Sequence, residues 1–194
     1  MAFIIGLVGE NGGGKGTFAE ALMAAAKEAG ASAERLRSSD ILKDTLSLWH
    51  IPSTRENLGK LALLMVRVYG EGTLTNAVRN RIEKSAADIV IFDGVRWKSD
   101  EALVRSFPKN LMAYVTTDPK LRYERMRARK EKSGEEHMTF EQFLKDEKAP
   151  TEKDIPEIGA RADIRLENND SLGLLQEKMK EIWQTRIVPL VKER

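Results

Sequence analysis

Residues 6–18 read GLVGENGGGKGTF, and within them Gly9, Gly12, Gly13, Gly14 and Gly16 surround one lysine, Lys15. Glycine reaches backbone angles that other residues avoid, so a bend built of glycines turns several N–H groups toward one point. With the positive end of a following helix, such a bend forms a cradle for an anion. Lys15 adds a mobile charge able to follow a phosphate, and Asn11 and Thr17 add polar side chains at the two ends of the loop. Gly9-x-x-x-x-Gly14-Lys15 is the spacing of a phosphate loop. The strict pattern places Ser or Thr directly after the lysine, as a hydroxyl ligand for Mg²⁺. Here Gly16 holds that place and Thr17 follows, so a metal would be held mainly through water and carboxylates.

A second set of candidates is acidic. Asp93 ends the apolar run Ile89-Val90-Ile91-Phe92, and an ionised carboxylate at a buried strand end needs a partner. A hydrated Mg²⁺ beside a triphosphate is one such partner; a helix cap or a salt bridge to Arg96 is another. Asp40 and Lys43 stand at the start of a helical stretch, ILKDTLSLW. A third set is basic. Arg122, Arg125, Arg127 and Arg129 share one helical run, with Arg125 and Arg129 four apart on one face. Such a run is either a solvated surface or a clamp on a transferring phosphoryl group, whose transition state spreads charge over its oxygens.

The elements that position these groups follow from periodicity and breaks. Phe3–Val8 predicts a strand, Lys15–Ala29 a helix stopped by Gly30, and 33–36 a short strand. A helix capped by Ser39 or Asp40 ends before Pro52. Thr54 can cap the next helix, with Leu58, Leu61, Ala62, Met65 and Val66 as its apolar stripe, and Leu74–Ser85 is a further helix. Residues 87–93 form a continuous apolar strand of the kind buried in a parallel sheet. Helix 99–107, strand 111–116, a helix opened by Asp118-Pro119, strand 163–166 and a last helix from Ser171, interrupted or ended near Pro189, complete the reading. Residues 133–156 are charged and mobile in character, with a capping pattern at Thr139-x-x-Gln142. Alternating strands and helices imply a three-layer α/β/α fold on a five-stranded parallel sheet. Ligands of such sheets bind beyond the carboxyl ends of the strands, where the glycine loop, Asp40 and Asp93-Gly94-Val95-Arg96 should converge.

Composition bounds the rest. The 194 residues suit one domain, and 41% of them are hydrophobic, enough for a core. Thirty-two basic and 30 acidic residues alternate rather than forming blocks, which argues against a nucleic-acid footprint. The lack of cysteine excludes disulfides and thiolate chemistry. The opening MAFIIGLVG reads as a strand rather than a signal peptide, and no apolar run approaches the ~20 residues of a membrane span. The expectation is a cytoplasmic protein, monomer or homodimer, that engages neither nucleic acid nor membrane.

Gly14-Lys15-Gly16-Thr17 resembles the phosphate loop of adenylate and other nucleoside monophosphate kinases. Asp93-Gly94-Val95-Arg96 is similar to their Asp-Gly-Phe-Pro-Arg segment, and Ser38-Ser39-Asp40-Ile41-Leu42-Lys43 to Ser-Thr-Gly-Asp-Met-Leu-Arg. Overall the chain resembles small archaeal nucleotide-kinase-like proteins related to adenylate, cytidylate and dephospho-coenzyme A kinases. The resemblance implies ATP and Mg²⁺ as cofactors and small nucleotides as partners. It implies an acceptor-binding segment at about 40–85 and a lid at about 130–156. Gly9, Asn11, Gly12, Gly13, Gly14, Lys15, Gly16 and Thr17 would hold the donor. Asp40, Lys43 and Arg96 would hold a phosphorylated acceptor, and Asp40 and Asp93 would hold Mg²⁺ through water. Lys15, Arg96, Arg125 and Arg129 would act on the moving phosphoryl group, with Arg161 a weaker clamp. The loop Asn168-Asn169-Asp170 would lie near the donor adenine, although Asn and Asp in a turn need no such role. Two other readings stay open: a dephospho-coenzyme A kinase-like enzyme with a hydroxyl acceptor and Asp40 as base, and an ATP-binding switch that gates a partner.

Overall fold

A computed structural model describes residues 2–70, 72–129 and 137–192. Five strands, β1 (Phe3–Val8), β2 (Ala33–Arg37), β3 (Ile89–Val95), β4 (Asn110–Thr116) and β5 (Ile164–Glu167), form one sheet in the order β2-β3-β1-β4-β5. Every pairing is parallel. β1, the most apolar segment, is buried along its whole length at the centre, as a strand covered on both faces should be.

Helices cover both faces. Helix α1 (Lys15–Glu28) packs through Phe18, Ala19, Leu22 and Ala26 on one face, with Ile5, Leu7, Ile91 and the C-terminal Trp183 and Ile187. The other face buries Val90, Phe92 and Met112 under α4 (Gly72–Lys84) and α5 (Lys98–Arg105). A third apolar cluster joins α2 (Ser38–Leu48), α3 (Arg55–Tyr69) and α4 through Leu42, Leu46, Leu58, Leu61, Ala62 and Leu74. That three-helix corner stands beside the carboxyl end of β2.

Most expected boundaries agree within two residues; the differences are informative. Thr54 does cap α3, accepting from the Asn57 N–H at 3.2 Å. Helix α2 begins at Ser38 without a side-chain cap, because the Asp40 carboxylate is drawn sideways to Arg37 (3.0 Å) and Lys43 (3.6 Å). β3 runs on past Asp93 through Gly94, whose φ of 103° lets the strand shift register against Leu7 and Val8. The C-terminal helix is not ended by Pro189. Helix α9 (Leu172–Ile182) passes through a π-turn at Trp183–Ile187 into α10 (Val188–Lys192). Proline is tolerated in the first turn of a helical segment, where its missing N–H is not required.

Residues 130–136, the start of the expected lid, lie outside the described residues. The remainder of that segment is packed. Thr139 caps α7 (Phe140–Asp146) by accepting from the Gln142 N–H. Phe140 and Phe143, one turn apart, stack on each other and meet Tyr123 of α6 (Pro119–Arg129) edge-on and tilted, with ring centroids 5.3–5.9 Å apart. Two aromatic rings on one helix face thus join this charged segment to α6. Helix α8 (Ile155–Ala160) then leads into β5. No helix among the described residues is long and apolar enough to cross a membrane.

Candidate functional site

The loop after β1 is shaped by what lies beneath it. Gly14, the residue before α1, has φ 95°, and a Cβ there would fall 2.2 Å from Asn168 Nδ2. A Cβ at Gly9, φ 156°, would fall 2.2 Å from the Val115 carbonyl. Neither position admits a side chain, for reasons of both backbone angle and space. The loop is held from below by hydrogen bonds. Asn168 Nδ2 and the Thr117 hydroxyl donate to the Gly13 carbonyl at 3.1 and 3.0 Å. Glu10 accepts from Tyr114 and from Thr116. The Lys15 ammonium folds back on its own loop, donating to the carbonyls of Gly9 (2.6 Å) and Glu10 (2.9 Å).

Above the loop lies a cleft of about 360 Å³, lined by Asn11, Gly12, Gly13, Gly14, Lys15, Gly16 and Thr17 and by five further cations, Arg35, Arg37, Lys43, Arg96 and Arg125. Among the described residues Asp93 is the one carboxylate in its wall. Six cations against one anion describe a site for a multiply charged anion. The glycine cradle and this charge set fit the phosphates of a nucleotide. A metal fits less directly. Asp93 gives its Oδ2 to Arg35 Nε at 2.9 Å and to Arg35 Nη2, Asp40 is paired with Arg37 and Lys43, and position 16 has no hydroxyl. No group of three acidic or histidine side chains stands together among the described residues. Mg²⁺ would thus be held by phosphate oxygens and water, with Asp93 and Asp40 reaching it through water.

A smaller, more apolar cavity of about 110 Å³ adjoins the cleft, walled by Leu42, Leu58, Ala62, Leu74 and Trp97 and carrying Arg55, Arg96, Asp100 and Glu152. Arg96, Ser38, Ser39 and Leu58 line both. Burial pushes the Arg96 guanidinium down to about 10, the Arg55 charge adds to this, and Asp93 and Asp100 oppose it. Arg96 thus remains protonated at neutral pH. Its present counter-ion is Glu152, only 8% exposed. Asn11 ties the two together: its Oδ1 accepts from Arg96 Nη2 at 3.4 Å, and its Nδ2 donates to Glu152 at 3.2 Å. Asp100 fixes the backbone here, accepting from the N–H groups of Arg96 (3.0 Å) and Trp97 (3.2 Å) and from the Thr75 hydroxyl (3.1 Å). Burial, above all, raises its pKa.

Over 180 residues the chain is 30% identical to a UPF0200 protein of Sulfurisphaera tokodaii, spanning 92% of this chain and 94% of that one. It belongs to the UPF0200 family. A UPF0200 protein of Saccharolobus solfataricus is 27% identical over 186 residues, 92% and 91% of the two chains. No family model matches. Among solved structures, TT1252 from Thermus thermophilus superposes with a TM-score of 0.60 at 20% identity, covering 94% and 97% of the chains. Shikimate kinase from Acinetobacter baumannii in complex with shikimate gives 0.58 at 19% identity, covering 96% of each. These likenesses place the UPF0200 chain in the three-layer P-loop kinase fold.

Of the residues singled out from sequence, the cleft of this UPF0200 protein gathers Asn11 to Thr17, Lys43, Asp93, Arg96 and Arg125. Gly9 lies beneath, and Asp40 stands at the rim on Arg37 and Lys43. Arg125 is anchored by donating to the Asn168 carbonyl at 2.9 Å. The Arg129 side chain lies outside the described residues. Arg161 is not brought in; it pairs with Glu101 and Glu157 on the outer surface. Asn168 sits under the loop as a brace. Sequence reasoning passed over Arg35, Arg37, Arg55 and Glu152. Arg122 was seen only as one of a basic run, yet it is 4% exposed, paired with Glu147 and bonded to the Thr117 carbonyl at 2.8 Å. Its place four residues after Asp118, at the start of α6, was the signal available: one turn in, it faces the loop it supports.

Proposed function

We propose that this protein is a phosphotransferase that moves the γ-phosphoryl group of ATP, bound with Mg²⁺, to a small phosphorylated acceptor, a nucleoside monophosphate. The observation that carries this reading is the position of Arg96 at the junction of two cavities. An anion held on Arg55 and Arg96 would relieve the repulsion between two neighbouring guanidiniums. It would also lie next to whatever the glycine loop holds. An ATP-binding switch needs only the first cavity, so the second, which carries Arg55 and Arg96, favours an enzyme.

Bound ATP with its metal supplies the transferable phosphoryl group; the chain supplies position and charge. The loop N–H groups and Lys15 hold the donor phosphates, and Lys15 exchanges its loop carbonyls for phosphate oxygens. Arg96, with Arg55 and Lys43, orients the acceptor. Arg125, fixed to the Asn168 carbonyl, and Arg129 neutralise charge on the group in transit. A phosphate acceptor is already nucleophilic near neutral pH, so no general base is required.

A hydroxyl acceptor is the second reading. It is favoured by the small size of the second cavity, about 110 Å³, which suits a compact anion better than a base and ribose. Asp40 would then be the base. ADP release measured against a panel of nucleoside monophosphates, dephospho-coenzyme A and small hydroxy acids separates the readings. Arg96→Ala should cost about 2–4 kcal/mol in kcat/KM for the acceptor with ATP binding preserved. Equal loss of ATP affinity and activity would move Arg96 to the donor side and sink the phosphorylated-acceptor reading.

A further inference from the structure

Arg35 lies where no motif points. It comes from β2, on the sheet face covered by α1, and its guanidinium is wedged between three groups. It donates to Asp93 from Nε (2.9 Å) and from Nη2, it lies 3.8 Å from Glu20 of α1, and its Nη2 would be 3.3 Å from a Cβ at position 16. Its side chain is one-fifth exposed and lines the phosphate cleft. The Arg35 guanidinium therefore fills the space between the residue after Lys15 and the carboxylate at the end of β3. In a phosphate loop with Ser or Thr at that place, this is where a hydroxyl and an acidic side chain face a metal. Here Gly16 offers no hydroxyl, and both Arg35 donors converge on one oxygen of Asp93.

We propose that Arg35 is a donor-phosphate residue, its guanidinium standing beside Gly16 close enough that a Cβ there would shift it by a few tenths of an ångström. On nucleotide binding, Arg35 keeps Nε on Asp93 and turns Nη1 and Nη2 to the phosphate oxygens above Gly16. A fixed charge-assisted fork then supplies part of the neutralisation that a hydroxyl-bound metal would otherwise provide. The class of ligand is a nucleoside di- or triphosphate whose binding depends on a divalent cation only weakly. This rests on the reading of the loop as a nucleotide site.

The test is direct binding of ATP and ADP by calorimetry, in Mg²⁺ and in EDTA, so that turnover is not the readout. Removing Arg35 alone would leave Asp93 as a buried, unpaired carboxylate and endanger the fold. The informative variants are therefore Arg35→Lys and the neutral pair Arg35→Met with Asp93→Asn, each checked for a cooperative urea transition. The wild type should bind ATP in EDTA within about tenfold of its affinity in Mg²⁺. The neutral pair should lose roughly 10- to 100-fold in EDTA, the scale of one or two charge-assisted hydrogen bonds. Arg35→Lys should fall between, since an ammonium keeps the charge but not the fork. Folded variants that bind ATP in EDTA as the wild type does would make Arg35 a structural partner of Asp93 and overturn the proposal alone. A wild type that binds neither nucleotide would overturn the donor site itself, and this proposal with it.

Discussion

Glu152→Gln puts the acceptor site at risk in two directions at once. Glu152 is the anion paired with Arg96, and under the proposed function an acceptor phosphate would take its place. The carboxylate is 8% exposed, while about a third of the Arg96 side chain reaches solvent. A fully buried pair broken from one side costs about 3–5 kcal/mol. Partial exposure of Arg96 reduces this, and glutamine keeps an oxygen that can accept from Arg96 and from Thr151 or Asn11 nearby. We expect the variant to lose about 1–2 kcal/mol of stability. The same interaction opposes acceptor binding, so removing it should tighten binding by a similar amount, roughly 5- to 30-fold. Urea unfolding gives the first number. Calorimetric titration with AMP and with inorganic phosphate gives the second. Lower stability with tighter anion binding is the signature of an internal competitor. Lower stability with unchanged or weaker binding would refute the reasoning and make Glu152 a structural brace of the α7–α8 segment.

Other expectations follow from the same geometry. Lys15→Ala should weaken ATP binding severely while the urea midpoint stays near wild type, because the ammonium bonds carbonyls of its own half-buried loop and fills no cavity; near-normal ATP binding would remove the donor assignment. Arg122→Met should cost about 2–4 kcal/mol of stability, since it strips a buried charge-assisted bond to the Thr117 carbonyl and leaves Glu147 without its partner; a urea-derived loss below about 1 kcal/mol would show that water replaces it. Asp100, raised by burial from its ordinary 3.8, binds its proton more tightly folded than unfolded. Relative to Asp100→Asn, the wild type should therefore lose stability as pH climbs from about 4 through the raised pKa. A urea series across that range with parallel profiles would contradict it.

Much of this architecture was legible in the residues themselves. The glycine spacing with Lys15, the apolar runs of β1 and β3, the Thr54 and Thr139 caps and the Asp118-Pro119 start are all nearest-neighbour signals, and each appears where its local chemistry puts it. The placing of Asp93 near the carboxyl end of β3 was legible too, although the strand runs on to Val95, but its partner was not. A hydrated Mg²⁺, a helix cap and Arg96, three residues away, were the candidates; the carboxylate takes Arg35, 58 positions back in the chain. Residues 133–156 read as charged and mobile; that Phe140 and Phe143 meet Tyr123 of α6 was not legible, because the contact joins separate helices.

Sequence alone therefore determined the fold class, the anion cradle and the strand ends on which the site is built, because backbone angles, periodicity and capping are set within a few residues. Tertiary structure alone decided which charge meets which. Thirty-two cations and 30 anions allow many pairings, and local patterning does not rank them. The choice of Arg35 for Asp93, Glu152 for Arg96 and Glu147 for Arg122 was made by the parallel alignment of β2 with β3 and by α7 docking on α6. Those placements are driven by apolar burial, which carries the charges to their partners without regard to their distance along the chain.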